Sequence, residues 1–255
     1  MTRKIPWIGT SWKMNKLRSE AQHFADVLAS HPMAKSLAAH PFVIPPFPYI
    51  AEVASILAGT RVRVGAQNMH WDDHGAWTGE VSPPMVKDCG ATLVEIGHSE
   101  RRTHFGETDE TVALKTRAAL DHGLTALVCI GDTAEEFDAG RTTEALERQV
   151  RGLLKYVEGN ALGKVVIAYE PVWSIGEKGI PATPEFANEQ HVRIAMLVKD
   201  VTGGALPILY GGSVNPKNCV ALATQSHIDG LFVGRSAWDV QGYIGICKAV
   251  VESLT

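Results

Sequence analysis

Eight short apolar segments, separated by segments with helical periodicity, constrain the fold of this 255-residue chain more than any other feature. They span residues 7–10, 42–45, 62–66, 93–96, 126–130, 165–169, 208–210 and 231–233. Their lengths fit strands, and their lack of polar alternation indicates burial on both faces, which is typical of parallel sheets. The helical patterns between them include residues 19–29, 107–122, 135–156 and 184–201.

This alternation of strand and helix predicts an α/β fold, a closed (β/α)8 barrel that forms one domain over residues 1–255. A doubly wound open sheet is the structural alternative. The nucleotide-binding versions of that fold are disfavoured because the first strand is not followed by GxGxxG and the chain has no Walker loop.

Composition favours a small-molecule partner. The net charge is −4, the isoelectric point is near 6.2, and the 24 basic residues are scattered, which argues against a nucleic-acid partner. The four cysteines are far apart without metal-ligand spacing, which predicts free thiols in a reducing compartment. Residues 1–10 lack the apolar core of a signal sequence, and the chain lacks an apolar run long enough for a membrane span. We therefore expect a cytoplasmic protein that does not act at a membrane.

Chemically active side chains follow three of the predicted strands. Lys13 follows the first strand, His98 and Glu100 the fourth, and Glu170 the sixth, where Pro171 delays the next helix. Taken singly, each residue has an ordinary structural explanation. Lys13 could be a surface lysine and His98 a hydrogen-bonded loop histidine. Glu100 could belong to a structural ion pair, and Glu170 could cap a helix. Because the carboxyl ends of barrel strands meet at one mouth, their joint occurrence predicts an active site there.

Glycine-rich loops follow the last two strands, as Gly211-Gly212-Ser213 and Gly234-Arg235-Ser236. Glycine lets backbone N–H groups approach an anion closely, and a following helix N-terminus adds positive potential. Such loops also make ordinary turns. As a pair after strands seven and eight, they predict a phosphate site.

Six segments carry a resemblance that covers nearly the whole chain. They are residues 12–15, 65–68, 75–80, 95–102, 168–176 and 209–214. In these motifs the chain resembles the triosephosphate isomerase family. The resemblance implies that Glu170 removes a proton from carbon, that a neutral His98 stabilises the enediolate, that Lys13 supplies positive charge, and that Glu100 holds or assists Lys13.

The same resemblance implies a mobile lid over residues 171–183, a phosphate grip and a homodimer. The lid includes Pro171, Val172, Trp173 and Gly179, and the substrate-binding residues include Ile175, Gly176, Ser213, Gly234 and Arg235. The loop around Thr78 matches the segment with which family members reach into the partner's site. No metal ion or organic cofactor is implied.

The chain departs from the family pattern at three places near the site. Ser11 replaces the usual asparagine, the lid is one residue longer, and Arg235 stands where a second glycine is usual. Serine is smaller than asparagine and leaves room for a larger substrate, whereas Arg235 would be strained if its backbone needed a positive φ. Neutral drift is the alternative explanation.

These departures resemble the branch of the family that acts on tetrulose phosphates. The implied reaction converts L-erythrulose 1-phosphate to D-erythrulose 4-phosphate through an enediolate during erythritol catabolism. The first alternative is the three-carbon reaction that interconverts dihydroxyacetone phosphate and glyceraldehyde 3-phosphate. The second is a barrel that has lost catalysis and serves as a binding or scaffold protein.

Overall fold

A computed structural model describes residues 5–176 and 179–254. Its strands are β1 (Trp7–Ser11), β2 (His40–Ile44), β3 (Arg63–Ala66), β4 (Leu93–Ile96), β5 (Thr125–Ile130), β6 (Val165–Tyr169), β7 (Ile208–Tyr210) and β8 (Gly230–Val233). Each strand pairs in parallel with the next, and β8 pairs with β1, so the sheet closes into a barrel. The predicted (β/α)8 barrel is confirmed.

Helices surround this barrel. They are α1 (Arg18–Ser30), α2 (Ile50–Ile56), α3 (Pro83–Asp88), α4 (Ser99–Phe105), α5 (Asp109–Asp121), α6 (Ala134–Asp138), α7 (Thr142–Leu154), α8 (Pro184–Thr202), α9 (Cys219–Ala223) and α10 (Val240–Ser253). None of the helices in the described part of the chain combines the length and the apolar composition needed to cross a bilayer.

Two predicted helices differ from the structure. The pattern at 107–122 forms a helix only from Asp109, because the Thr108 side chain caps its first turn by accepting a hydrogen bond from the Thr111 N–H. The pattern at 135–156 is two helices, α6 and α7. Gly140 lies between them with φ +68°, a left-handed backbone that ends the first helix.

Alternation along each strand divides the apolar side chains into two layers. One cluster, which includes Phe42, Leu93, Ala168 and Phe232, fills the barrel interior, while the other set of strand side chains packs against the helices. Gly9 belongs to the interior because a β-carbon there would lie 2.1 Å from the Phe42 ring. The barrel interior is therefore a filled core, and the cavity described below lies at its carboxyl-terminal mouth.

Candidate active site

A cavity of about 210 Å³ lies at the carboxyl ends of the strands. The predicted site residues in its wall are Ser11, Lys13, His98, Glu170, Ile175, Gly176, Ser213, Gly234 and Arg235. The predicted residues outside the wall are Glu100, which contacts Lys13, the lid residues Pro171, Val172, Trp173 and Gly179, and the exposed Thr78. The structure thus brings the predicted base, imidazole, ammonium and glycine loops together at one mouth.

Strand alternation explains why three polar side chains enter this cavity. Successive side chains of a strand point to opposite faces, so the residue two positions after an interior residue also points inward. Gly9 and Leu93 are interior residues of β1 and β4, which places Ser11 and Glu95 one layer higher. By the same rule, Glu170 follows the interior Ala168 of β6.

Glu170 is a buried carboxyl group with one unsatisfied oxygen. The residue is 3% exposed, and its Oε2 has no hydrogen-bond partner among the described residues. Burial, together with the nearby Glu95 charge, raises the pKa of Glu170 to about 8. An acceptor held without a donor costs folding free energy, which favours a role in binding or catalysis.

Gly211, in the loop after β7, makes room for this carboxyl group. A β-carbon at Gly211 would lie 2.7 Å from Cγ of Glu170. The sequence predicted that the glycines of this loop bind phosphate or make an ordinary turn. In the structure, the absence of a β-carbon at Gly211 leaves the space that the side chain of Glu170, the predicted base, occupies.

The imidazole ring of His98 is oriented so that its Nε2 faces the carboxyl group of Glu170. Its Nδ1 accepts a hydrogen bond of 3.1 Å from the backbone N–H of Glu100 at the start of α4, so a neutral ring carries its proton on Nε2. Nε2 lies 3.5 Å from Oε2 of Glu170. Burial and then the charge of Lys13 lower the pKa of His98 to about 4, so the ring is a neutral hydrogen-bond donor at pH 7.

Lys13 is fixed through both its side chain and its backbone. Its Nζ lies 2.6 Å from Oε1 of Glu100. Partial burial opposes ionisation of Glu100, but the hydrogen bond and charge of Lys13 hold its pKa below the usual value. The backbone of Lys13 has φ +53°, and its carbonyl accepts a 2.9 Å hydrogen bond from Nε2 of Gln67. Sequence reasoning gave no role to Gln67, whose contact depends on the pairing of β3 beside β2.

The loops predicted to bind phosphate face the same cavity from β6, β7 and β8. Gly176 has φ +89°, which glycine adopts without strain. Arg235 does not have the strained backbone considered in the sequence analysis. Among the described non-glycine residues, only Lys13 and Lys16 have a positive φ. Arg235 instead begins a short 3₁₀ turn, Arg235–Ala237. Glycine is therefore not required at that position.

The first part of the predicted lid is anchored to the barrel. Residues Val172–Ser174 form a 3₁₀ turn, and Nε1 of Trp173 donates a 3.2 Å hydrogen bond to the buried Asp132. The Asp132 carboxylate also accepts from Tyr169 Oη and Thr142 Oγ1. Glu177 and Lys178, in the middle of the predicted lid, lie outside the described residues.

Glu95 is a further carboxyl group in the cavity wall, and the sequence analysis gave it no role. It is 3% exposed and accepts a 2.8 Å hydrogen bond from Oγ of Ser11. Burial raises the pKa of Glu95 to about 7. One feature of the sequence indicates this position. Glu95 is an acidic residue within the otherwise apolar strand β4, two residues after the interior Leu93.

Glu95, His98 and Glu170 each offer one ligand atom, and these atoms lie within 4.8 Å of one another. The three could therefore hold a metal ion. The same atoms also form a carboxylate and imidazole arrangement suited to moving protons, which needs no metal.

Comparison with known sequences decides the family. The sequence model of the family described as triosephosphate isomerase matches residues 6–250. The chain belongs to the triosephosphate isomerase family. The resemblance carried by the six motif segments is therefore confirmed over nearly the whole chain.

Relatives within the family share more than half of their residues with this chain. An L-erythrulose-1-phosphate isomerase of Rhizobium meliloti (strain 1021) is 53% identical over 255 residues, covering 100% of both chains. A protein of the same name from Rhizobium rhizogenes is 55% identical, covering 97% of this chain and 95% of the relative. Another from Brucella abortus biovar 1 is 55% identical, covering 97% of this chain and 98% of the relative. The predicted resemblance to the tetrulose-phosphate branch is borne out by these similarities.

Proposed function

We propose that the chain is a sugar-phosphate isomerase that converts L-erythrulose 1-phosphate to D-erythrulose 4-phosphate in erythritol catabolism. The observation that carries the proposal is the buried Oε2 of Glu170, which has no hydrogen-bond partner in the described part of the chain and lies 3.5 Å from Nε2 of His98 in the wall of one cavity. The names of the full-length relatives support the four-carbon substrate.

In the proposed reaction, ionised Glu170 removes the proton from C3 of the substrate. The electron pair of the broken C–H bond forms a C2–C3 double bond, and the C2 carbonyl becomes an enediolate oxygen. The Nε2–H of neutral His98 donates a hydrogen bond to this oxygen, and the ammonium of Lys13 stabilises its charge. The proton then returns to C2 while the hydroxyl proton of O3 moves to O2. The carbonyl has moved from C2 to C3, and no electron acceptor is consumed.

Backbone amides of Gly176, Ser213 and the Gly234–Arg235 turn bind the substrate phosphate in this scheme, and Ile175 closes over it. Their common position in the cavity wall supports the assignment. Closure of the lid over the enediolate excludes water and protects the intermediate from loss of phosphate. The reaction as proposed uses no metal ion or organic cofactor.

We also propose a cytoplasmic homodimer in which the loop around Thr78 meets the partner's site. Thr78 is exposed, and the neighbouring Trp77 side chain is 49% exposed, which supports a role in association. Light scattering tests this proposal directly. A stable monomer at micromolar concentration would contradict it.

The substrate is tested by measuring kcat/KM for L-erythrulose 1-phosphate and dihydroxyacetone phosphate with one preparation. We expect the four-carbon substrate to have the higher value. Faster turnover of the three-carbon substrate would favour a triosephosphate isomerase, since the groups around Glu170 serve either substrate. Absence of turnover with both would favour a binding or scaffold protein.

A further inference from the structure

Glu95 is a buried ionisable group that takes no part in the proposed proton transfers. It projects from β4 into the cavity, and among the described residues one of its oxygens accepts a hydrogen bond, from Ser11. Burying a carboxylate with so few donors is unfavourable unless another partner completes its hydrogen bonds. The cavity is where such a partner can enter.

The position of Glu95 indicates which part of a substrate it meets. In the closed eight-strand order, β4 is opposite β8, so Glu95 faces the cavity from the side opposite the Gly234–Arg235 turn. One atom of its carboxylate lies within 4.8 Å of ligand atoms of both His98 and Glu170. A substrate whose phosphate lies near β7 and β8 therefore extends its other end toward Glu95.

We propose that Glu95 is a specificity-determining residue that accepts a hydrogen bond from the terminal hydroxymethyl group of the four-carbon substrate. This inference rests on the proposed function. The hydroxymethyl group is attached to the carbon that Glu170 deprotonates, and it is the part that dihydroxyacetone phosphate lacks. A buried acceptor distinguishes the two substrates because the smaller one leaves it without a donor.

Ser11 and Trp238 hold this acceptor in place. Nε1 of Trp238 donates a 2.9 Å hydrogen bond to the carbonyl of Ser11, and Oγ of Ser11 donates to Oε2 of Glu95. Both Ser11 and Trp238 line the cavity. The departure from the family pattern at Ser11 thus contacts Glu95 directly. In the proposal, the substrate hydroxyl group donates its hydrogen bond to the other oxygen of this carboxylate.

The test uses two four-carbon substrates that differ in one oxygen atom. These are L-erythrulose 1-phosphate and its 4-deoxy analogue, which carries a methyl group in place of the hydroxymethyl group, with dihydroxyacetone phosphate as the three-carbon control. Glu95→Leu removes the acceptor and keeps an apolar filling, while Glu95→Gln keeps a neutral acceptor. Ser11→Ala removes the anchor but leaves the carboxylate.

We expect Glu95→Leu to lower the ratio of kcat/KM for L-erythrulose 1-phosphate to that for each of the other two substrates by about 100-fold. Glu95→Gln should recover part of the loss, and Ser11→Ala should weaken discrimination by less than Glu95→Leu. Any effect of Glu95 on the ionisation of Glu170 acts on all three substrates and cancels in their ratios.

Equal losses with all three substrates would overturn the proposal and assign Glu95 a positioning role through Ser11 or Glu170. An unchanged kcat/KM for L-erythrulose 1-phosphate in folded Glu95→Leu protein would overturn it as well. Failure of the proposed function is recognised separately, in the wild-type protein, as an absence of L-erythrulose 1-phosphate turnover, and that result removes both proposals.

Discussion

Nε2 of His98 lies 3.5 Å from Oε2 of Glu170, and both side chains are buried at the mouth of the barrel. The first comes from the end of β4 and the second from the end of β6. The two groups have pKa values moved in opposite directions from their usual ranges, to about 4 for His98 and about 8 for Glu170. Burial disfavours the charged form of each, so one site contains a neutral donor beside a carboxyl group that titrates near neutral pH.

The pKa of Glu170 predicts the pH dependence of the reaction. Since the ionised form is the base, kcat/KM should fall about tenfold for each pH unit below about 8. Glu95 contributes to that value, so Glu95→Gln should move this acidic limb to lower pH. A pH profile with the limb in the same place in both proteins would show that the two carboxyl groups do not interact.

Stability should also depend on the ionisation of Glu170. Its folded-state pKa of about 8 is above the usual 4.5, so the folded state binds the proton more tightly, and stability falls as pH rises from about 4.5 through 8. Glu170→Gln removes this loss. The difference in the free energy of unfolding, Glu170→Gln minus wild type, should be larger at pH 9 than at pH 4.5 by roughly 2–5 kcal/mol. Denaturant unfolding at both pH values measures the change, and a constant difference would contradict it.

Ser11→Asn should move the substrate preference toward three carbons. Ser11 is 4% exposed in the cavity wall, so the added carboxamide has to occupy substrate space. We expect the ratio of kcat/KM for L-erythrulose 1-phosphate to that for dihydroxyacetone phosphate to fall by about tenfold or more. An unchanged ratio would show that Ser11 does not limit the size of the substrate.

Gly211→Ala should displace the base while leaving the fold intact. The new β-carbon would come within 2.7 Å of Cγ of Glu170, and a displacement of about 1 Å in a catalytic group can lower kcat by about 100-fold. Gly245→Ala is the matched control, because Gly245 lies in α10 and a β-carbon there meets no atom within 4 Å. Similar kcat values for the two variants would mean that Glu170 tolerates the shift.

The sequence predicted the part of the site that follows from strand ends. Lys13, His98 and Glu170 line one cavity at the mouth, as expected from the convergence of the carboxyl ends of parallel strands. The place of Glu95 in the cavity wall was not predicted, because it depends on which face of β4 points inward. Its partner Ser11 is 84 residues away in the chain, a separation that no local pattern reports.

The remaining errors have similar causes. The predicted 135–156 helix extended through Gly140, where a left-handed backbone ends α6, although glycine in a helical pattern is itself a signal of interruption. The concern about Arg235 assumed a glycine-type backbone, whereas the residue begins a 3₁₀ turn. Backbone conformation in a loop depends on its tertiary contacts, and the residue type alone did not determine it.

In the proposed mechanism, the buried carboxylate of Glu170 moves the proton of the substrate. Proton NMR in D₂O tests it by following exchange of the C3 hydrogen of L-erythrulose 1-phosphate with solvent, for wild type and for Glu170→Gln. Wild type should catalyse exchange and isomerisation, and the variant, folded and with the cavity intact, should lose both by at least about 1000-fold. Exchange at the wild-type rate in Glu170→Gln would contradict the account.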